Sequence, residues 1–305
     1  MFRTLAKMAP KTWTKESFTL NTGAKIPAVG LGTWQSKPGE VREAVKAALQ
    51  GGYRHIDTAL AYGNEKEVGE GIKDSGVPRE DIWVTTKLDN PWHKRVDEGI
   101  NSSLKSLGLD YVDLYLMHWP SSTDPSDLKK HHPDWDFKDT WAEMQKLPES
   151  GRVKNIGVSN FAIKNLDKLF ADSRFSITPA VNQIELHPNN PSPKLLDYCK
   201  DKGIHCTAYS CLGSTDSPLY KNEKLKKLAQ NKEKSVQQVL LMWGLQRGTS
   251  VIPKSVTASR IMANFELDGW ELTDEEMKEI DALPERFKVC GDAWLPVKVF
   301  FGDDE

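Results

Sequence analysis

The stretch "YRHIDTALAYGNE", residues 53–65, decides how the chain is read. It opens as an apolar run of β-prone residues and stops on a carboxylate, Asp57. A phenol, Tyr62, follows in the turn, and Gly63 frees the chain to enter a helical pattern over 63–75. Strand, polar turn, helix is the repeating unit of an α/β protein.

The same grammar recurs along the chain. Further β-type runs are "AVGLGTW" (28–34), "IWVTTKL" (82–88), "YVDLYLMHW" (111–119), "VKNIGVSNF" (153–161), "AVNQIEL" (180–186), "IHCTAYSCL" (204–212) and "SVIPKS" (250–255). With 53–59 they make eight. Helical periodicity is expected over 40–50, 63–75, 93–107, 138–150, 162–172, 192–202, 221–247 and 257–266. Asn231 and Ser235 break the period of the 221–247 segment, so it reads as two helices. Strands separated by helices pair in parallel through right-handed crossovers, and eight such units close into a (β/α)8 TIM barrel. Ahead of them, "FTLNTGAKIPA" (18–28) carries a turn at Asn21–Gly23 between two short β-prone runs. A hairpin capping the N-terminal end of the barrel is expected there. The tail after residue 284 holds Trp294, Phe300 and Phe301 with little helical period, and reads as a loop folded back over the active-site end.

Composition narrows the partners. The chain has 305 residues and a formal net charge of −2, which supplies no electrostatic attraction for nucleic acid or a membrane surface. No run of 18 apolar residues offers a membrane span. Cys199, Cys206, Cys211 and Cys290 form no CxxC and read as reduced thiols of a cytoplasmic protein. The basic segment 1–17 reads as a disordered leader, with a mitochondrial presequence as the alternative, and residues 18–305 as one barrel domain.

Barrel enzymes place their chemistry at the C-terminal ends of the strands. Read in order, those ends carry Trp34, Asp57 with Tyr62 after it, Lys87, His118, Ser159 and Asn160, Gln183 and Glu185, Tyr209, and Lys254 with Ser255. Each alone has a structural reading as a cap, a loop anchor or a surface charge. Together they carry a mechanism. An ammonium beside a phenol favours the phenolate, and a carboxylate beside the ammonium keeps it charged. An imidazole can polarise a carbonyl oxygen. That set makes a general acid for an oxygen gaining negative charge, as in carbonyl reduction by hydride transfer.

At these residues the chain resembles the aldo-keto reductases. "GYRHIDTALAYGNE", "LYLMHWP" (114–120), "GVSNF" (157–161) and "VIPKS" (251–255) resemble the family's signatures in order and spacing, from "VGLGTW" at 29 to "ASRIMANF" at 258. The resemblance implies catalytic roles for Asp57, Tyr62, Lys87 and His118. It implies NADP(H) bound without a GxGxxG motif. Ser159, Asn160 and Gln183 would meet the nicotinamide carboxamide, and Tyr209 would stack on the ring. Ser210, Leu212 and Ser214 would line the pyrophosphate, Lys254, Ser255 and Arg260 the 2′-phosphate, and Asn264 the adenine. Ala263 stands where many relatives are acidic. Trp34, Trp92, Trp119 and Trp294, with His118, would wall a small-molecule carbonyl substrate. The loop "DNPWHKR" (89–95), with "SCLGS" (210–214), further resembles fungal reductases of glyceraldehyde, glycerol and related sugars. A monomer with no metal is the family expectation.

Two other readings compete. His55, Asp57, Glu185 and His187 are four metal-ligand types at alternating strand positions, as in a metal-dependent barrel hydrolase. A non-catalytic NADPH-binding subunit of the same fold is the other.

Overall fold

The computed structural model describes residues 11–37 and 39–302. Its strands in chain order are β1 (Ser17–Thr19), β2 (Lys25–Pro27), β3 (Leu31–Gly32), β4 (His55–Asp57), β5 (Trp83–Leu88), β6 (Val112–Met117), β7 (Thr123–Asp124), β8 (Asp127–His131), β9 (Val153–Ser159), β10 (Val181–Glu185), β11 (His205–Tyr209) and β12 (Ser250–Val251). The helices are α1 (Glu40–Gln50), α2 (Glu65–Ser75), α3 (Val96–Leu107), α4 (Phe137–Met144), α5 (Ile163–Phe170), α6 (Pro193–Asp201), α7 (Glu223–Asn231), α8 (Val236–Gln246), α9 (Ala258–Ala263) and α10 (Asp274–Asp281).

Eight strands pair in parallel in the order β12-β11-β10-β9-β6-β5-β4-β3. Parallel bridges Val29–Val251 and Gly32–Lys254 join the two ends and close the barrel. Gly32 is required at that seam, because a Cβ there would meet the Ile252 carbonyl at 2.8 Å. The (β/α)8 expectation holds.

Period-two alternation sorts the side chains. Ile56, Val84, Tyr115, Ile156, Ile184 and Ala208 face outward into the layer beneath the helices. Trp83, Leu114, Leu116 and Val181 face inward, where Leu20 and Ile26 of the β1–β2 hairpin plug the N-terminal end. Asp57, Lys87, Ser159, Gln183 and Tyr209 share that inward parity further along their strands, and His118 follows one residue beyond β6. The alternation that fills the barrel with hydrocarbon below therefore brings the polar strand ends together above.

The helices depart from expectation where proline or a cap intervenes. The 93–107 helix starts at Val96, because Asn90–Trp92 form a 3-10 turn with Pro91 inside and the Asp89 side chain capping it. The 138–150 helix ends at Met144, and Pro148 opens a separate turn, Pro148–Ser150. The break between α7 and α8 falls where expected, with Ser235 and Gln238 forming a capping box.

The leader expectation needs correcting over residues 11–17; residues 1–10 lie outside the described residues. Trp13 is buried, Thr14 is bonded to Asp268 through both its N–H and its hydroxyl (2.9 and 2.6 Å), and Ser17 already belongs to β1. Burial of the Trp13 indole and the two bonds to Asp268 offset part of the backbone entropy lost in ordering these residues. Among the described residues no helix is long and apolar enough to cross a membrane.

Candidate active site

Asp57 ends β4 and Lys87 is the penultimate residue of the adjacent β5; both are buried, with side chains 2% and 1% exposed. The Lys87 ammonium donates to Asp57 Oδ1 at 2.6 Å, to the Thr58 carbonyl at 2.9 Å and to Tyr62 Oη at 3.2 Å. All three of its donors are thereby satisfied, as a charge in low dielectric demands. The second oxygen of Asp57 accepts from Gln183 Nε2 at 2.6 Å. The 3-10 turn Leu60–Tyr62 folds the phenol back, and Gly63, at φ 67°, ends that turn in the left-handed region.

Burial pulls the Lys87 ammonium down, but Asp57 and Tyr62 outweigh it, so its pKa sits above 10.5 and the group stays charged. For Tyr62 the balance runs the other way. Burial raises the phenol above 10, Asp57 adds to the rise, and Lys87 only partly opposes it. Lys87 acts on the phenol in the expected direction, but burial is the larger effect. The phenol is held as a protonated donor at neutral pH, and the ammonium stabilises the phenolate once the proton leaves.

The His118 ring meets Tyr62 edge-on, with centroids 5.7 Å apart. Burial, then the charge of Lys87, then His93 press its pKa well below 6.5, so the imidazole is neutral. Its Nδ1 is buried and has no hydrogen-bond partner among the described residues.

The residues expected at the nicotinamide adjoin this group in one network. Ser159 Oγ donates to the Gln183 carbonyl (2.8 Å), Asn160 Nδ2 to the His118 carbonyl (2.9 Å), and the Tyr209 hydroxyl to Asn160 Oδ1 (2.7 Å). Asn160 holds a left-handed φ of 64°, which aims its amide back across the mouth. Gln183, expected at the carboxamide, spends its amide N–H on Asp57. Ser210, Gly213 and Ser214 are all left-handed, so the 210–214 loop turns repeatedly, and Gly213 packs against Ser217 where a Cβ would stand 2.2 Å from its hydroxyl. Leu212, within that loop, is half-buried against the core. At the far end Lys254 and Arg260 are exposed, and among the described residues neither is paired with a carboxylate. Two such cations with the Ser255 hydroxyl between them suit a phosphate dianion. Asn264 caps the C-terminus of α9 and is buried. The donor set therefore fits a phosphorylated dinucleotide.

The aromatic residues expected to wall the substrate come together only in part. Trp119 meets Trp294 edge-on at 5.4 Å and Phe300 at 5.9 Å. Trp34 is 41% exposed, and Trp92 lies under the Arg95 guanidinium at 4.2 Å; among the described residues neither makes a ring contact with Trp119, Trp294 or Phe300. Phe300, read in the sequence only as part of the aromatic tail, joins Trp294 on Trp119. The hairpin β7–β8 beyond Trp119 was missed altogether; Ser122 at its base bonds His93 Nδ1 at 2.9 Å.

The four residues of the metal reading do not gather into one cluster. His55 lies deeper in the barrel, 3.4 Å from the Pro27 carbonyl and from Thr85. Glu185 bonds His187 at 2.9 Å and two backbone N–H groups of the tail. Among the described residues no three His, Cys, Asp or Glu gather as a metal cage.

An eight-fold barrel with a buried carboxylate–ammonium–phenol chain and a neutral imidazole at its mouth defines an oxidoreductase site for carbonyl groups. Comparison with known proteins agrees. The model of the Aldo/keto reductase family matches residues 28–285. The chain is 45% identical to glycerol 2-dehydrogenase (NADP(+)) of Saccharomyces cerevisiae, over 92% of this chain and 96% of that one. It is 49% identical to D-galacturonate reductase of Hypocrea jecorina, over 86% and 88%. The crystal structure of a Bombyx mori aldo-keto reductase in complex with NADP superposes with a TM-score of 0.80 at 40% identity, covering 87% of this chain and 91% of that one. The chain belongs to the aldo/keto reductase family.

Proposed function

We propose that this aldo-keto reductase reduces a small polyhydroxylated aldehyde or ketone, of the glyceraldehyde and sugar type, with Tyr62 as the proton donor. Its cofactor is NADP(H), which when bound supplies the hydride to the carbonyl carbon. Ser159, Asn160 and Gln183 would hold its carboxamide, Tyr209 its ring, the 210–214 loop its pyrophosphate, and Lys254, Ser255 and Arg260 its 2′-phosphate, with Asn264 at the adenine.

The chain's own residues handle the proton. As the carbonyl carbon takes the hydride, its oxygen gains an electron pair. The neutral His118 ring orients that oxygen by donating one N–H, and the Tyr62 hydroxyl gives it a proton. The phenolate left behind rests 3.2 Å from the Lys87 ammonium, which Asp57 holds in place. Reversal of the same steps oxidises the alcohol.

The observation that carries the reading is that one buried ammonium reaches both Asp57 and the Tyr62 oxygen beside an uncharged imidazole. The substrate class is supported by relatives named for glycerol and D-galacturonate, a polyol and a sugar acid. The test is NADPH oxidation against glyceraldehyde, aldoses, ketoses and uronates. Turnover confined to large apolar carbonyls would contradict the substrate class.

A further inference from the structure

Glu185 is the last residue of β10 and its side chain is fully buried, yet nothing in the proton-transfer scheme uses it. Its two carboxylate oxygens are occupied from far along the chain. Oε1 accepts the Val289 N–H at 2.6 Å, and Oε2 accepts the Cys290 N–H at 2.7 Å. His187 closes the remaining side, 2.9 Å from Oε1. Burial alone would push this carboxyl up, but the bonds from His187, Val289 and Cys290 overcome it and hold it ionised.

The contact is one rung of a longer track. The His187 ring stacks on Phe287 at 4.6 Å. The Asn189 carbonyl accepts the Phe287 N–H at 3.1 Å, and Asn189 Nδ2 donates to the Glu285 carbonyl at 2.6 Å. Residues 185–189 thus receive residues 285–290 in reverse order. Beyond the track the tail is knotted on itself, with Asp292 accepting the N–H groups of Val299 (2.7 Å) and Phe300 (2.9 Å). That knot carries Trp294 and Phe300 onto Trp119. Trp294 is 60% exposed, so its place depends on what holds the knot upstream.

We propose that Glu185 is a positioning residue: its buried carboxylate clasps the C-terminal segment at Val289 and Cys290 and so fixes the aromatic wall that meets the substrate. The proposal rests on the mouth being a carbonyl-reducing site. A carboxylate suits the task because two consecutive backbone N–H groups need two acceptors at one point, and charge-assisted bonds are about twice as strong as neutral ones. The clasp fixes which substrates are held, while the proton chain stands elsewhere, with Asp57 on β4, Tyr62 in the turn after it and Lys87 on β5.

Two measurements test it. In the unmodified protein, hydrogen exchange should find the amides of Phe287, Val289 and Cys290 slower than those of residues 293–298 by about 100-fold or more. Comparable exchange in the two segments would overturn the clasp. In Glu185→Leu, the ratio of KM for benzaldehyde to KM for glyceraldehyde should rise about tenfold, the worth of one lost aromatic contact. Glu185→Gln, which keeps one acceptor, should fall between. General damage would move both KM values together, and an unchanged ratio would overturn the positioning role. Absence of turnover in the unmodified protein would fail the functional reading instead, with the exchange measurement still judging the clasp.

Discussion

Lys87 and Asp57 meet at 2.6 Å with both side chains sealed from water, and the same ammonium reaches the oxygen of Tyr62. A buried pair of this kind is costly to break from one side, because the survivor keeps its charge without a partner. Lys87→Met should therefore destabilise the fold by about 3–5 kcal/mol. Adding Asp57→Asn should return part of that loss, since the stranded carboxylate is then gone. Urea unfolding of the two single variants and the double variant measures this, and strictly additive losses would mean that the pair is not coupled.

The buried histidines set the acid limb of stability. His55 is held down at about 4, His93 and His205 at about 3, each chiefly by burial, and His118 well below 6.5. Each therefore folds neutral and binds a proton only when unfolded, near pH 6.5. Protons favour the unfolded chain in that window, so stability is lost as pH falls below about 6.5. Between pH 7 and 5.5 each should cost about 1 kcal/mol. Unfolding free energy that stays level over this range would show that these rings are not buried neutral.

Lys254 should read the phosphate that separates NADPH from NADH. Lys254→Met is expected to raise KM for NADPH about tenfold while leaving KM for NADH within about twofold, the scale of one charge-assisted contact. Steady-state kinetics with both cofactors decides it, and equal effects on both would assign Lys254 no part in the preference.

Trp13 lies within the segment first read as leader, yet it is 3% exposed. Trp13→Ala should lower stability by about 3–5 kcal/mol, the usual cost of emptying a buried aromatic site. A melting temperature unchanged by the substitution would mean that the segment does not dock in solution.

What the sequence made legible follows from its period. Asp57, Lys87, His118, Ser159, Gln183 and Tyr209 could be named in advance because inward parity and the barrel mouth together locate a strand end. Interactions that join distant segments were not legible. Nothing local to Glu185 marks it as the acceptor for residues 104 and 105 positions away. Nor does the Gln183 side chain announce a bond to Asp57. The α10 helix was missed although Thr273 and Glu276 spell its capping box, and the β7–β8 hairpin lacks the apolar alternation that marks a strand. That burial outweighs Lys87 at Tyr62 was not legible either, because a charge partner can be read from sequence and the depth of burial cannot.

The central claim is that Tyr62 delivers the proton. The direct measurement is single-turnover NADPH oxidation by Tyr62→Phe with glyceraldehyde, alongside NADPH binding by fluorescence. The account predicts that turnover falls by a factor on the order of 100 to 10,000, the usual worth of a general acid, while the dissociation constant for NADPH stays within about twofold. A variant that reduces glyceraldehyde at the parent rate would contradict it.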